Sequence, residues 1–249
     1  LNGSAADAAV WSARAHMGVL NAVDGVAEDS CGPAELVTGG RDGFVKLWDT
    51  RTSSSVAEFA PTTTTTTTSS SAGSQPTSKR GKDCWAVAFG NSHNGESDRW
   101  VSSGYDDGSL VIRDLRSPAK PLFETSPIPG QNGICFVAFD RRDIEANKLL
   151  VTALGSVMRC YDLRTRHPQR GFAGCEIKVE EAGSTTWCAR PSPHNREICA
   201  TGSGNGLLTL WKYEYPKERK RRCAEEEEKL MKSEGKKAEE ILSLIHISQ

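Results

Sequence analysis

Short apolar segments separated by polar turns recur along the first 216 residues of the chain. Four blocks share one order: an apolar strand that ends in small residues, a tight turn, a second apolar strand, and a closing polar or aromatic pair. These blocks cover residues 35–51, 100–116, 148–164 and 197–214. The alternation of apolar and polar positions within them is imperfect, which is typical of strands buried on both faces. The pattern predicts an all-β fold made of four similar units.

A further strand is expected ahead of each block. The apolar stretches in question lie at residues 19–23, 84–89, 133–139 and 186–189. The closing residues Asp49, Asp114, Asp162 and Lys212 are 65, 48 and 50 residues apart. The first gap holds a low-complexity insert, and without it the period approaches the ~40–45 residues of WD repeats. We therefore predict an all-β WD-repeat β-propeller with about four blades of an expected seven, and expect the chain to be part of a longer protein.

The tight turns follow from the residues that occupy them. Asp42-Gly43, Asp107-Gly108 and Asn205-Gly206 stand at the same place in their blocks. Such dipeptides tolerate the positive φ that a hairpin turn requires. The third block has Gly155-Ser156 instead, so it keeps the turn but loses the acid.

A hydrogen-bonded set of four side chains is predicted in the first block. In WD repeats, the turn Asp joins a loop His, a strand Ser or Thr, and the Trp. The first block has all four, as His16, Thr38, Asp42 and Trp48. His16 and Asp42 could also be half of a catalytic dyad, but the spacing is what the blade framework requires. The other blocks lack the His, so we expect those blades to depend more on packing.

Composition divides the chain into four regions. We expect residues 1–60 to hold a partial edge strand and the first blade, 61–80 a disordered Thr/Ser-rich insert, 81–216 three further blades, and 217–249 a charged tail that is helical or disordered. The insert is either a phosphorylation target or a neutral insertion. The basic run 217–222 could serve nuclear import or RNA contact, but acidic residues follow it directly. The final apolar run, 241–248, resembles translated adapter sequence and carries no functional expectation.

Charge and cysteine usage exclude several classes of function. Lys plus Arg number 31 and Asp plus Glu 32, so the net charge of −1 favours neither nucleic acid nor an anionic membrane as a partner. No apolar run approaches the ~20 residues that span a bilayer, and the start lacks a signal-peptide pattern. The eight cysteines are scattered without a CxxC pair, which argues against zinc and favours reduced thiols in the cytoplasm.

No sequence motif supports an active site. The chain has no GxGxxG, Walker, GxSxG or HExxH pattern, so we expect no enzyme activity and no cofactor. Loops on a rigid frame are the usual carriers of binding function. Large or charged loop residues are therefore candidates for partner binding, although each could equally be solvated or paired locally. They are Arg41, Tyr105, Asp106, Arg166, His167 and Arg170.

Several runs are more specific than the generic repeat. FDRRD at 139–143, RTRHP at 164–168 and YEYP at 213–216 are not demanded by the blade framework. In these runs and their flanks, from about residue 16 to 216, the chain resembles the WD-repeat family of axonemal dynein assembly factors. The resemblance implies a seven-bladed, non-catalytic adaptor that works with RuvB-like ATPases and prefoldin-like co-chaperones on dynein heavy chains. It further implies action in the cytoplasm, on behalf of cilia or flagella.

A second function from another class fits one motif. Trp48-Asp49-Thr50-Arg51 matches the WDxR pattern of the substrate receptors of cullin ubiquitin ligases, and residues 113–116 and 161–164 are partial copies. The structural alternative is that Asp-x-Arg pairs its own charges within or between blades. A pull-down separates the two functions, because one predicts co-chaperone ATPases and dynein chains and the other a cullin adaptor.

Overall fold

A computed structural model of the chain describes residues 11–26, 36–52, 54–61, 82–91, 99–125, 133–168, 170–179 and 184–214. In this part of the chain there is no α-helix, and so none long and apolar enough to cross a membrane. The strands are β1 (Leu20–Gly25), β2 (Leu36–Gly40), β3 (Val45–Trp48), β4 (Ser55–Phe59), β5 (Cys84–Gly90), β6 (Trp100–Tyr105), β7 (Leu110–Asp114), β8 (Phe123–Glu124), β9 (Ile134–Phe139), β10 (Lys148–Ala153), β11 (Val157–His167), β12 (Gly171–Lys178), β13 (Thr186–Pro191), β14 (Ile198–Ser203) and β15 (Leu208–Lys212). By compactness the chain divides into residues 1–211 and 212–249, and of the second unit only 212–214 are described.

The strands form four antiparallel sheets in which each strand pairs with the next one along the chain. Sheet 1 contains β1–β4, sheet 2 β5–β8, sheet 3 β9–β12, and sheet 4 β13–β15. The sheets confirm the all-β prediction and its four units. Strands β5, β6 and β10 are almost wholly buried on both faces. This burial is the reason that their sequences do not alternate cleanly between apolar and polar residues.

One backbone hydrogen bond repeats in all four sheets and shows that the units are equivalent. The N–H of the residue eight positions before each closing residue donates to the carbonyl just ahead of the sheet's first strand. The four pairs are Arg41 to Val19 at 2.8 Å, Asp106 to Asp83 at 2.9 Å, Leu154 to Gly133 at 3.0 Å, and Gly204 to Thr185 at 2.8 Å. Beside it, Gly43, Gly108 and Gly206 have φ of 79°, 82° and 86°, as the turn dipeptides predicted.

The core lies between successive sheets. Val37, Val45 and Leu47 of sheet 1 pack on strands β5–β7 of sheet 2. Leu110 and Ile112 of sheet 2 occupy the positions equivalent to Val45 and Leu47, and they pack on β9–β11 of sheet 3. Each sheet is therefore stabilised mainly by its neighbours, as in other repeat folds.

The outermost described faces break this pattern. Leu208 and Leu210 of β15 correspond to Val45 and Leu47, yet they are 76% and 73% exposed, whereas Val45 and Leu47 are 2% and 3% exposed. On sheet 1, Leu20 and Val23 are exposed, although their equivalents in sheet 2, Cys84 and Val87, lie in the core. Sheets 1 and 4 thus each present one uncovered apolar face.

Several sequence expectations need correction or lie outside the described residues. The fourth strands, β4, β8 and β12, were not predicted, because they are short or carry polar residues on one face. Arg166, His167 and Arg170 were expected in a loop, but Arg166 and His167 lie on β11, and Arg170 lies in the turn between β11 and β12. A partial edge strand was expected near the start of residues 1–60, but residues 11–15 are not in a strand. Residues 1–10, 62–81 and 215–249 lie outside the described residues, so the expectations for the Thr/Ser-rich insert at 61–80 and the tail at 217–249 stay predictions.

Candidate functional site

The four side chains expected at the first turn lie together at the edge of sheet 1. The indole N–H of Trp48 donates to the Thr38 hydroxyl at 2.9 Å, and Thr38 Oγ1 lies 2.8 Å from His16 Nε2. His16 Nδ1 is 2.9 Å from Asp42 Oδ1. Since an ionised Asp42 only accepts, Nδ1 carries the proton and donates to it. Thr38 accepts from the Trp48 indole and keeps its own hydroxyl hydrogen to donate to His16 Nε2, so the donors and acceptors match throughout.

The Asp42 carboxylate also holds two backbone groups. It accepts from the N–H of Met17 at 2.8 Å and of Phe44 at 3.1 Å. Burial raises the pKa of this carboxyl, but the bonds from Met17, His16 and Phe44 together outweigh burial and leave the pKa below its ordinary value. The packing is tight enough that a Cβ at Gly40 would collide with His16 Nδ1. The arrangement ties the loop before β1 to the β2–β3 turn.

The other sheets keep parts of this network, which sequence reasoning missed. In sheet 4 the Trp211 indole donates to Thr201 at 2.9 Å, as Trp48 does to Thr38. The shared spacing of ten residues is a signal that could have revealed it. In sheet 2, Lys82 Nζ lies 2.7 Å from the Asp107 carboxylate. The lysine thus contacts the turn aspartate of sheet 2 as His16 contacts Asp42 in sheet 1. Sheets 2 and 4, which lack the His, therefore keep polar contacts beside their packing, and the expectation that they depend more on packing stays a prediction.

In each of the three Asp-x-Arg motifs, the Arg side chain pairs with the Asp carboxylate of the same motif. Arg51 donates to both carboxylate oxygens of Asp49, at 2.9 Å from Nε and 2.8 Å from Nη2. The same bidentate geometry joins Asp114 to Arg116 and Asp162 to Arg164. The Arg51 hydrogen bonds hold the pKa of Asp49 below its ordinary value. This geometry favours the structural interpretation of the WDxR motif over contact with a ligase adaptor.

Of the expected binding residues near the turns, one is in the core. Tyr105 is 2% exposed at the end of β6, and burial raises its pKa. Its assignment to a binding loop was wrong, because the adjacent Asp106 and Asp107, not Tyr105, form the turn. Asp106 is half-buried and accepts from the Asp83 N–H at 3.0 Å. Arg41 is exposed, with Nε 3.7 Å from Asp83.

The remaining three expected residues lie on the β11–β12 hairpin. The strands continue past a register shift between Asp162 and Arg166, and Arg166 then pairs with Phe172 and His167 with Gly171. Arg166 and Arg170 are exposed, and His167 is half-buried with its Nδ1 accepting from the Arg170 N–H at 3.1 Å.

The same hairpin is anchored in the core beside its turn, since Phe172 is the second residue of β12. Phe172 is buried, with ring centroids 5.5 Å from Phe123 and 6.1 Å from Trp100 of sheet 2. Aromatic contacts of this kind fix a ring firmly in place. The turn end of the hairpin is thus fixed against sheet 2, and it carries the exposed side chains of Arg166 and Arg170.

The unusual FDRRD run serves contacts between sheets. Arg142 of the loop after β9 donates to Asp24 Oδ1 of sheet 1 at 2.7 Å. Asp24 Oδ2 in turn accepts from the Phe89 N–H of sheet 2 at 2.9 Å. One carboxylate therefore joins three sheets. Asp140 accepts from the Asn147 N–H at 2.8 Å and is buried within its own loop. A sequence feature that the single repeat leaves unexplained thus has a role in the assembly of the sheets.

In the described part of the chain, no group of three or more His, Cys, Asp or Glu residues could hold a metal ion. The polar clusters found there pair charges or cap turns. The chemistry that they support is the positioning of backbone and side chains on a rigid surface.

Comparison with known proteins extends this picture. Residues 9–49 match the family model described as WD domain, G-beta repeat. The fold is that of a WD-type β-propeller. A solved structure with the same architecture, the computationally designed Ika4 protein, aligns with a TM-score of 0.53 over 82% of this chain and 96% of that chain. Its 15% identity shows likeness of fold alone.

Over most of its length the chain is similar to proteins named dynein axonemal assembly factor 10. It is 42% identical to the Xenopus laevis protein over 89% of this chain and 57% of that protein. For the human protein the figures are 42%, 87% and 56%, and for the Chlamydomonas reinhardtii protein 41%, 85% and 54%. The chain thus spans somewhat more than half the length of the curated relatives it matches.

Proposed function

We propose that this chain is part of a non-catalytic scaffold that assists the assembly of axonemal dynein through protein–protein contacts. The observation that carries the proposal is the 42% identity, over 89% of the chain, to a protein named dynein axonemal assembly factor 10. Its partners in this role are RuvB-like ATPases, prefoldin-like co-chaperones and dynein heavy chains. It acts in the cytoplasm, before dynein reaches the cilium or flagellum.

The geometry supports a binding role. The blades form a stiff frame in which buried apolar strands and closed polar networks leave the loops and one hairpin to carry recognition. The β11–β12 hairpin is the strongest candidate for a contact, because Phe172 fixes its turn end while Arg166 and Arg170 are exposed. Arginine is enriched at binding hot spots, where its planar group makes several directed hydrogen bonds.

The test is affinity purification of the tagged protein from ciliated or flagellated cells. We expect RuvB-like ATPases and dynein heavy chains in the eluate, and loss of the protein should leave axonemes short of dynein arms. The triple change Arg166→Ala, His167→Ala and Arg170→Ala should lower recovery of the partners about tenfold or more, as expected when ~1.4 kcal/mol or more is lost at a hot spot. Its melting temperature should change little, because surface substitutions each cost at most ~0.5 kcal/mol.

A matched control removes three exposed cationic or imidazole side chains outside the hairpin: Arg14→Ala, Lys120→Ala and His194→Ala. This variant should recover the partners as the unmodified protein does. If the two triple variants lose partners equally, net charge and not the hairpin governs binding. If the eluate contains a cullin adaptor and dynein arms are normal without the protein, the ligase-receptor function replaces the one proposed.

A further inference from the structure

Two cysteines face each other across the outer strands of sheet 3. Cys160 on β11 and Cys175 on β12 are direct cross-strand partners in the antiparallel pairing. Both are free thiols, Cys160 buried and Cys175 half-buried. β12 is the outermost strand of its sheet, so one member of the pair is reachable from solvent and the other is shielded behind it.

Strand geometry places the two residues within bonding range. Directly opposed residues in an antiparallel pair have Cα atoms ~4.5–5.5 Å apart, inside the ~4.4–6.8 Å window of disulfides. Their Cβ atoms, however, are usually ~4.5–5.5 Å apart, against ~3.8 Å in a relaxed disulfide. A bond at this position draws the strands together and is strained, which makes it easy to reduce. It suits reversible oxidation better than permanent cross-linking.

The two sulfurs have different chemical roles. A hydrogen bond from the Cys160 thiol stabilises the Cys175 thiolate and lowers the pKa of Cys175. The same bond, together with burial, raises the pKa of Cys160. Cys175 differs in this from three other cysteines, at which burial raises the pKa: Cys84, Cys135 and Cys199. Because the thiolate is the reactive form, Cys175 is the nucleophile and Cys160 the resolving thiol beside it.

We propose that Cys160 and Cys175 form a reversible oxidation site whose oxidant is a hydroperoxide. The Cys175 thiolate attacks the terminal peroxide oxygen, the O–O bond breaks, and with one proton taken up the products are a sulfenic acid and water or an alcohol. Cys160 then attacks the sulfenic sulfur, the S–S bond forms, and hydroxide leaves and takes up the Cys160 proton as water. Each sulfur loses one electron, and the peroxide gains two. A dithiol reductant restores both thiols by exchange.

The bond would form at the base of the β11–β12 hairpin. Cys160 pairs with Cys175 on the body side of the register shift, and Arg166 pairs with Phe172 beyond it. Oxidation therefore fixes the register of the two strands that carry the hairpin. The hairpin itself stays anchored by Phe172 in both redox states.

The test is peptide mapping of the folded protein after exposure to hydrogen peroxide and alkylation of the remaining thiols. Trypsin cuts after Arg159, Arg164, Arg170 and Lys178, so the two cysteines lie on the separate peptides 160–164 and 171–178. We expect these peptides to be joined with the loss of two hydrogens, and two of the eight cysteine thiols to be consumed. Dithiothreitol should return both peptides to the free form.

Variants separate the two roles. Cys160→Ser should stop the reaction at a sulfenic acid on Cys175, which dimedone traps, while Cys175→Ser should abolish the joined peptide. Cys188→Ser, at another half-buried cysteine on β13, is the matched control and should leave the joined peptide unchanged. The proposal is overturned if both thiols of the unmodified protein remain alkylatable, or if Cys160 is found joined to Cys199 of the neighbouring sheet. The mapping of the unmodified protein decides this even where a variant fails to fold.

Discussion

Replacing Asp42 by Ala tests whether the polar network of the first blade stabilises the fold. The change removes a carboxylate that accepts from His16, Met17 and Phe44. The His16 side chain has 0% exposure in the folded protein, so its Nδ1 depends on Asp42 as its acceptor. A buried donor left unpaired costs the desolvation of that group, and this cost sets the size of the effect.

The expected loss is about 1–3 kcal/mol of unfolding free energy, mostly from the imidazole N–H. Met17 N–H lies at an exposed position, so water replaces its lost partner at little cost. In sheet 2, Asp107 accepts from Ser109 and from Lys82, whose side chain is 21% exposed and can turn to solvent. Asp107→Ala should therefore cost less, about 0.5–1.5 kcal/mol.

The measurement is urea unfolding of the purified protein at neutral pH, with Asp42→Asn as the conservative control. The asparagine keeps one oxygen that can accept from His16, so its loss should lie between zero and that of the alanine variant. Equal and negligible losses for Asp42→Ala and Asp107→Ala would refute the reasoning. Equal losses for alanine and asparagine at 42 would show that negative charge matters rather than the hydrogen bond.

At low pH, the difference in unfolding free energy between the unmodified protein and Asp42→Ala should become smaller. The folded-state pKa of Asp42 lies below its ordinary value, so its contribution is fully present above the ordinary pKa of ~3.9 and is lost as the pH falls through the folded-state value. The gap in unfolding free energy between the unmodified protein and Asp42→Ala should therefore narrow below about pH 4. A gap that stays constant from neutral pH to pH 3 would contradict the assignment.

Three other changes test the rest of the fold. Thr201→Val should cost about 0.5–1.5 kcal/mol, because the Trp211 indole N–H loses its acceptor; unchanged hydrogen exchange in β14 would count against this. Ile112→Ala should cost about 2–5 kcal/mol of unfolding free energy. Leu210→Ala at the equivalent position should cost under about 0.5 kcal/mol in the 249-residue chain, because its side chain is exposed; equal losses in urea would contradict the conclusion that the β15 face is uncovered. Replacing residues 62–78 with a short Gly/Ser linker should move the melting temperature by at most about two degrees, since loop-closure entropy varies slowly with length; a large drop would show that the tract packs against a blade.

The parts of the fold that follow from local sequence were the ones predicted. The inner strands and the turns carry continuous apolar runs and Asp-Gly or Asn-Gly pairs, so β5, β9 and the Gly43, Gly108 and Gly206 turns could be placed in advance. The fourth strands could not, because β8 has two residues and β12 is half-exposed. Such strands form because a paired edge is already present, and their own composition says little.

The binding surface was harder to predict than the polar network. His16, Thr38, Asp42 and Trp48 have a fixed spacing within one repeat, and they lie together. Tyr105 shows the opposite case, since a tyrosine beside two aspartates has the composition of a loop but is held in the core by the neighbouring sheet. Contacts between units, such as Arg142 with Asp24, depend on residues 118 positions apart, and no local pattern encodes them.

The uncovered face of β15 has a consequence for the order in which the molecule comes apart. Sheets 1, 2 and 3 each pack on the next sheet along the chain. Sheet 4 is packed on one side only, and its Leu208 and Leu210 are exposed to water. Unfolding of the 249-residue chain should therefore begin in β13–β15 and spread toward sheet 3. A second site of early unfolding is the exposed face of sheet 1 at Leu20 and Val23. A contact that covers β15 should therefore slow unfolding from this end. It should protect Cys160 and the β11–β12 hairpin before it protects Asp42.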